Sequence, residues 1–220
     1  MKMVILHDFY RSSASFRIRI ALNLKRIRYD QVVHDLDTGA HRASAYLALN
    51  PQGLLPALEA GRQVLTQSAA ILEFLEAAYP DPPLLPATPV EQARVRALFQ
   101  SIAADTHPLT TMRAGRYLKT VLGCDDAAVT HWKQHWMIDG LSAFETQLAG
   151  DPWTGRYCHG GRVSFADLAL VPQAVSAQKL GIDLDAFPTI ARIVEHCMQL
   201  QAFRDAHPDA CSPQPTLIKE

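Results

Sequence analysis

Apolar positions along the first 80 residues alternate between the two-residue period of strands and the longer period of amphipathic helices. The predicted elements are strands at 2–9 and 29–33, helices at 13–26 and (more weakly) 41–49, a hairpin at 54–66 that turns at Ala60–Gly61, and a helix that stops at Pro80. Their order, βαβαββα, is typical of an α/β layer.

The second part of the chain has a helical pattern almost throughout. The segment "PDPPLLPATP" (80–89) holds five prolines and cannot be a helix or a central strand, so it separates the two parts. Beyond it, three apolar stripes are predicted to be buried: Val95, Leu98, Phe99 and Ile102; Val129, Trp132, Trp136 and Phe144; Ile190, Ile193, Val194 and Cys197. We predict an α/β domain at 1–80, a proline-rich linker at 81–90 and an all-α domain at 91–220.

One helix start in the second part is strongly specified. In "VSFADL" (163–168), Ser164 can cap the amide of Asp167, while the Asp167 carboxylate can reach back to the Ser164 amide. Val163 and Leu168 occupy the two hydrophobic staple positions. This pattern predicts a helix N-terminus whose role is in folding rather than in ligand binding.

Composition narrows the classes of partner. The chain of 220 residues carries 21 basic and 22 acidic side chains, a formal net charge of -1, so no overall field attracts nucleic acid or an anionic membrane. No apolar run approaches the roughly 20 residues needed to cross a bilayer. The four cysteines have no C-x-x-C spacing and no apolar signal segment precedes the first strand, which indicates a reduced, cytoplasmic protein with no metal site.

Three candidate ligand-binding positions fall at the ends of predicted elements. "RSSASFR" (11–17) opens the first helix, where the Ser12 hydroxyl can donate to an anion that also faces the next two amides. Leu55–Pro56, at the start of the third strand, is a candidate cis peptide that would turn its backbone toward a peptide-like ligand. Gln67–Ser68 opens the third helix, where amides, a hydroxyl and the helix dipole can hold a carboxylate. In a βαβαββα domain we expect these positions to converge on one edge of the sheet.

An anion site at the start of the first helix would most usefully stabilise a thiolate, because a helix N-terminus lowers the pKa of a thiol. The segment 11–17 contains no cysteine of its own, and Ala14 stands where the helix begins. The thiol would therefore have to come from the ligand.

The chain resembles the cytosolic glutathione transferases, and most closely their zeta class, which includes maleylacetoacetate and maleylpyruvate isomerases. The likeness covers nearly the whole chain, with the motifs in the family's order and at about its spacing. The segments that carry it are "YRSSASFRIRIALNLK", "LNPQGLLPALE", "LTQSAAILEFLE", "DTHPLTTMR" and "VSFADLALVPQ". The resemblance implies a thioredoxin-like first domain and an all-α second domain.

The resemblance also implies a glutathione site. By correspondence with the family, Ser12 assists the glutathione thiolate, and Leu55, before Pro56, offers its backbone to the cysteinyl part. Gln67 and Ser68 take the γ-glutamyl carboxylate and amine. The other implied glutathione-binding positions are Ser13 and Ala14 through their amides, and Gln52, His41 and His107 near the glycyl end or the pocket.

Substrates of the family's isomerases carry two carboxylates, so the implied pocket needs cations. Arg11 and Arg113 match family positions that bind these carboxylates, and a third arginine of the family is Lys179 here. Lysine is a point charge whereas arginine grips a carboxylate with two donors, so this exchange bears on the choice of substrate. Arg17 and Arg19, inside the first helix, are interpreted as structural or surface residues.

The function implied is a glutathione-dependent cis–trans isomerase of aromatic catabolism, with a small dicarboxylate substrate and a homodimeric assembly. Ala14 replaces the family's usual cysteine, which argues against chemistry through a glutathionylated cysteine. Thr110–Thr111 replace an Asn-Asn pair of the family, which with Lys179 bears on the exact substrate. Maleylacetoacetate and maleylpyruvate both stay open, because both keto diacids suit the implied pocket. Two alternatives are a transferase or dehalogenase for small α-halo acids and a non-catalytic interaction module.

Overall fold

A four-stranded mixed sheet forms the first part of the structure, a computed structural model that describes residues 4–212. Its strands are β1 Val4–Asp8, β2 Asp30–Val33, β3 Ala57–Ala60 and β4 Gln63–Thr66, in the spatial order β2-β1-β3-β4. β1 is parallel to β2 and antiparallel to β3, which forms a hairpin with β4. Gly61, in the hairpin turn, has a φ of +68°, a conformation that glycine adopts without a steric cost.

Helices alternate with these strands in the predicted order. They are α1 Ser13–Leu24, α2 Ser44–Leu49 and α3 Ser68–Ala78, with a 3-10 turn at Ala40–Arg42 ahead of α2. α1 contacts α3 and the later helix α10 (Gln201–Ala206), and its residues from Ser15 to Leu22 are all buried. The thioredoxin-like α/β arrangement that the sequence predicts is confirmed.

The rest of the chain is helical, as predicted. The remaining helices are α4 Pro89–Gln100, α5 His107–Thr110, α6 Met112–Thr120, α7 Asp126–Ala149, α8 Phe165–Lys179, α9 Pro188–Met198 and α11 Pro208–Cys211, with a π-helical turn at Ser101–Thr106 and a 3-10 turn at Leu184–Ala186. α8 contacts both α4 and α9, and its side chains from Phe165 to Val175 are all buried. This helix is therefore the centre of the second core.

The longest helix, α7, buries a somewhat different face from the one predicted. Met137, Leu141 and Phe144 are 0–1% exposed, whereas Trp132 and Trp136 are only half-buried. Trp132 instead uses its indole N–H, which donates to a backbone carbonyl at 2.9 Å. Across residues 4–212, none of the helices combines the length and the apolar character that a membrane span requires.

Contacts divide the chain into two units whose boundary near residue 80 is close to the predicted linker. Within the described residues, the first unit comprises 4–79 and 200–212, and the second comprises 80–199. α10 and α11 thus belong with the sheet, although their pattern places them in a helical domain at 91–220. The side-chain amide of Asn23 donates to the Ala202 carbonyl at 3.1 Å, and the Phe16 ring makes an edge contact with His207. Helical periodicity alone does not say which core a helix joins.

A buried ion pair links several elements of the first unit. Nη1 of Arg19, which is 0% exposed, donates to both carboxylate oxygens of Asp8, at 2.8 and 2.9 Å. Its Nε and Nη2 donate to the carbonyls of Ala206 and Tyr10, at 3.0 and 2.9 Å. The side-chain amide of Gln31 donates to Asp8 at 2.9 Å. Arg19 is thus structural, as one interpretation had it, and the surface alternative is wrong.

The helix start predicted at Ser164 is present as a capping box. The Asp167 carboxylate accepts hydrogen bonds from the Ser164 amide at 2.8 Å, the Ser164 hydroxyl at 2.9 Å and the Cys158 amide at 2.8 Å. Burial raises the pKa of Asp167, while these hydrogen bonds act in the opposite direction. The Asp167 carboxylate thus accepts these hydrogen bonds from the protein itself, which agrees with a role in folding.

Breaking the Arg19–Asp8 pair from one side is expected to lower the free energy of unfolding by about 3–5 kcal/mol, because the remaining charge stays buried without its partner. Arg19→Met and Asp8→Asn, followed by urea unfolding, measure this loss. Arg28→Met, at an exposed arginine, is the control and should stay within about 0.5 kcal/mol of the parent chain.

The double variant Asp8→Leu/Arg19→Met should lose less than the sum of the two single losses, since it leaves no orphaned charge. Additive single losses below about 1 kcal/mol each would contradict a central role for the pair.

Candidate functional site

Four chain segments meet at one edge of the sheet, which we call the site edge. His7 of β1 pairs with Ala57 of β3, and Ala57 pairs with Thr66 of β4, so the end of β1, the start of β3 and the end of β4 lie together. Asp8 pairs with Val33, so the parallel strand β2 ends at the same edge. The segments gathered there are 9–12, 34–37, 54–56 and 67–68. They contain all three positions that the sequence predicts to converge.

Ser12 is the N-cap of α1 at the site edge. Its Oγ accepts the Ser15 N–H at 3.2 Å, which leaves the hydroxyl proton to be donated elsewhere. Ser13 and Ala14, both half-buried, form the first turn, and that turn has no acidic residue to neutralise the positive end of the helix. The arrangement suits an anion in front of the Ser12 hydroxyl.

The Leu55–Pro56 peptide bond is cis, as predicted. The carbonyl of the preceding Leu54 is held by the Tyr46 hydroxyl at 2.6 Å and by the side-chain amide of Asn50 at 2.8 Å. No hydrogen bond among residues 4–212 uses the N–H or the C=O of Leu55. These two groups are therefore available to an extended peptide-like ligand.

Gln67 and Ser68 open α3 at the same edge. Gln67 has a φ of +69°, a region that residues other than glycine rarely adopt and that is enriched at functional sites. Its side-chain amide donates to Oε1 of Gln52 at 2.7 Å, so two predicted glutathione-binding residues touch each other. Ser68 is buried, and the first turn of α3 also lacks an acidic residue.

Arg17 belongs to this part of the molecule, although the sequence interpretation left it as structural or surface. It is 1% exposed, and its Nη1 donates to Oγ of Ser68 at 3.2 Å. Burial lowers the pKa of Arg17 to about 10, which keeps it protonated near neutral pH. The signal in the sequence was "FRIRIAL", in which apolar residues surround both arginines and leave the helix no polar face.

The other predicted binding residues lie in two different units. His41, in the 3-10 turn before α2, is a buried member of the first unit. His107 begins α5, Arg113 lies in the first turn of α6 and Lys179 ends α8, all in the second unit. Arg113 and Lys179 are exposed. The roles of these residues toward a ligand stay predictions.

Arg11 places a cation next to Ser12. Its side chain is 41% exposed and forms an ion pair with Asp37, from the segment that follows β2. The guanidinium carbon also lies 5.1 and 5.6 Å from the ring centroids of Phe9 and Tyr10. A ligand carboxylate at Arg11 would take the position that the Asp37 carboxylate holds.

A histidine cluster at the sheet was not predicted. Nδ1 of His7 lies 2.8 Å from Nε2 of His34, and Nε2 of His7 lies 2.7 Å from Oε1 of Glu59. His34 also packs on the Tyr46 ring, with centroids 4.2 Å apart. Burial, then the charges of His7 and His41, lowers the pKa of His34. One proton fits between the two facing imidazole nitrogens, so the cluster favours a neutral His34.

None of the segments at the site edge contains a cysteine. Cys124, Cys158, Cys197 and Cys211 are free, and burial raises the pKa of the last three. Across residues 4–212, no group of three or more His, Cys, Asp or Glu side chains is arranged to hold a metal ion. A thiol nucleophile in front of Ser12 would have to be part of a ligand.

Two family models match the chain. The model of the glutathione S-transferase N-terminal domain matches residues 6–83, and that of the glutathione S-transferase C-terminal domain matches residues 139–201. The chain is also 45% identical over 205 residues to a maleylpyruvate isomerase from Ralstonia sp, covering 93% of this chain and 97% of that protein.

Solved structures agree with the family models. The holo structure of a maleyl pyruvate isomerase, a bacterial glutathione S-transferase of the zeta class, matches with a TM-score of 0.92 and 44% identity, covering 96% of this chain and 99% of that one. The maleylacetoacetate isomerase of Methylobacterium extorquens AM1, solved with malonate and GSH bound, gives a TM-score of 0.93 and 42% identity, with the same coverage of 96% and 99%. The likeness in sequence and in structure extends over almost the full length.

The lowered pKa of His34 predicts that the fold weakens in mild acid. The folded chain binds fewer protons at this ring than the unfolded chain, whose histidine pKa is about 6.5, so the stability is present above that pH and falls as the pH drops below it. His34→Gln should reduce the loss of unfolding free energy between about pH 7.5 and pH 5.5, measured with urea.

His131→Gln, which alters an exposed ring on α7, serves as the matched control. It should show the same acid loss as the parent chain. An unchanged acid loss in His34→Gln would contradict this account of the cluster.

Proposed function

The chain belongs to the glutathione S-transferase family, and we propose that it is a glutathione-dependent isomerase that converts a cis maleyl keto diacid into its trans form. The observation that carries the proposal is the donor set of the site edge. It offers a hydroxyl and a helix N-terminus for a thiolate, unused backbone groups at Leu55 for a peptide, and a second helix N-terminus for a carboxylate. Relatives named as maleylpyruvate and maleylacetoacetate isomerases support this class of substrate.

Glutathione, when bound, supplies a thiolate that adds reversibly to the substrate's double bond, allows rotation about the resulting single bond and then leaves unchanged. The chain's part is to hold that sulfur as an anion. Ser12 donates its hydroxyl proton to the sulfur, and the Ser15 N–H that Ser12 accepts polarises the hydroxyl. The positive end of α1 lowers the thiol pKa further, and Ala14 leaves no protein thiol to compete.

The same edge orients the rest of glutathione. The backbone of Leu55 pairs with the cysteinyl residue, next to the cis bond to Pro56. Ser68 and the amides at the start of α3 bind the γ-glutamyl carboxylate. Gln67 and Gln52, already in contact with each other, lie beside it. The first-turn amides of α1 and His41 complete the proposed set within the first unit, and a role for His107 of the second unit is what the resemblance implies.

Cations bind the substrate in this proposal. Arg11 exchanges its contact with Asp37 for a substrate carboxylate and stabilises negative charge that develops on the keto diacid. For Arg113 and Lys179, which belong to the second unit, a role toward the second carboxylate is what the resemblance to the family implies. Lysine offers a point charge where the family's arginine offers a planar two-donor grip, so Lys179 bears on the choice between maleylpyruvate and maleylacetoacetate.

We also infer that the protein acts as a homodimer in the cytoplasm. The inference follows from its family and from its free cysteines, which suit a reducing compartment. Light scattering of the purified chain should give twice the mass of one chain, and a monomer would contradict it.

Ser12→Ala is expected to reduce kcat by about 10²–10³-fold, because the donor to the thiolate is lost. Glutathione affinity should change far less, since the carboxylate and peptide contacts remain. Steady-state kinetics and calorimetry separate the two effects.

Ser12→Asp tests whether helix capping explains the result. An aspartate still accepts the Ser15 N–H but cannot donate, so this variant should keep the stability of α1 and be as inactive as Ser12→Ala. Ser142→Ala, on an exposed face of α7, should behave as the parent chain. A normal kcat with weakened glutathione binding in Ser12→Ala would contradict the assigned role.

Arg11→Ala is expected to raise the KM for the keto diacid about tenfold or more, because a charge-assisted contact is lost. Asp37→Asn should lower the KM, since the neutral side chain competes less with the substrate carboxylate. Both are measured at saturating glutathione. Arg62→Ala, in the hairpin turn at the opposite end of the sheet, is the control. A higher KM in Asp37→Asn would show that Asp37 orients Arg11 and does not compete with the substrate.

A further inference from the structure

We propose that Arg17 is a positioning residue that prepares Ser68 to bind the γ-glutamyl carboxylate of glutathione. The inference rests on the proposed function and adds to it a residue that sequence reasoning had left out of the site. In this inference Arg17 acts on the ligand through the Ser68 hydroxyl, to which it donates a hydrogen bond.

The hydrogen bond from Arg17 fixes what the Ser68 hydroxyl can do. A serine hydroxyl accepts through its oxygen lone pairs and donates through one proton. Nη1 of Arg17 donates to the oxygen at 3.2 Å, so the oxygen serves as the acceptor. Among residues 4–212, no acceptor takes the Ser68 proton in a hydrogen bond. The proton is therefore held ready for a ligand acceptor in front of α3.

The charge on Arg17 strengthens this arrangement. The side chain is 1% exposed, so water screens its field weakly toward Ser68, which is 8% exposed. The guanidinium is protonated near neutral pH, with a pKa of about 10 after the cost of burial. The first turn of α3 contains no acidic residue that would cancel the field. A carboxylate at Ser68 thus meets a hydroxyl donor, the helix N-terminus and the field of the buried cation that is hydrogen-bonded to the hydroxyl.

Burial explains how Arg17 can act on Ser68 more effectively than an exposed arginine would. An exposed arginine at this distance would be screened by solvent and would lose side-chain entropy on each binding event. Arg17 is instead held on α1, which contacts α3, so its position is set when the unit folds. The pre-organised charge raises affinity for the anion at no further ordering cost.

The test compares two ligands on the full-length chain. Glutathione is one, and γ-aminobutyryl-cysteinyl-glycine, which lacks only the α-carboxylate of the γ-glutamyl group, is the other. In the parent chain, calorimetry should find glutathione bound about tenfold or more tightly than the analogue. Arg17→Met should weaken glutathione binding by about that factor and leave analogue binding within about twofold. Its kcat at saturating glutathione should stay near that of the parent chain.

Ser68→Ala should remove the same discrimination, and the double variant should bind glutathione no more weakly than the worse of the two single variants. Should Arg17→Met fail to fold, Arg17→Lys decides the question. The ammonium keeps the buried charge, so part of the preference for glutathione should survive, and complete loss of the preference overturns the inference.

Equal weakening of both ligands by Arg17→Met would overturn the inference, because it would reduce Arg17 to a packing residue. So would an unchanged preference for glutathione. A parent chain that binds no glutathione would overturn the proposed function as well. Binding of glutathione and the analogue with equal affinity would overturn only the role of Arg17.

Discussion

The buried ion pair between Arg19 and Asp8 is the constraint on which the site depends. It joins α1 to the last residue of β1, and the same two side chains reach β2 through Gln31 and α10 through the Ala206 carbonyl. A charged pair removed from water tolerates little displacement, because each missing hydrogen bond leaves a desolvated charge. The pair therefore holds the start of α1, and with it Ser12, at a defined place beside the end of β1.

Two positive helix ends and two arginines lie at the site edge, whose four segments contain no cysteine. Two helix N-termini open there, neither with an acidic residue in its first turn, so the positive ends of both helices are directed at a ligand. Arg17 adds a full charge behind one of them, and Arg11 adds another beside the other. A tripeptide with a thiol on its central residue and a carboxylate at one end matches this arrangement of helix N-termini and arginines. In the proposed function, Arg11 is the cation that binds a carboxylate of the keto diacid.

The sequence allowed the fold and the outline of the site to be predicted, because strand order and element ends decide which residues share an edge. Ser12, Leu55 and Ser68 are brought to one edge by backbone pairing alone. Side-chain partners could not be predicted in the same way. The sequence left Arg17 and Arg19 open as structural or surface residues, because burial of a guanidinium depends on distant groups. The packing of residues 200–212 in the first unit could not be predicted either, because a helical pattern does not indicate which core the helix joins.

The most direct test follows the chemistry itself, with purified chain, maleylpyruvate, maleylacetoacetate and a set of α-halo acids, each incubated with and without glutathione. The account predicts that at least one keto diacid is converted to its trans isomer only when glutathione is present, and that glutathione is recovered in full. Isomerisation at an equal rate without glutathione would contradict it. So would halide release without isomerisation, which would indicate a dehalogenating transferase, or a failure to bind glutathione at all, which would indicate an interaction module.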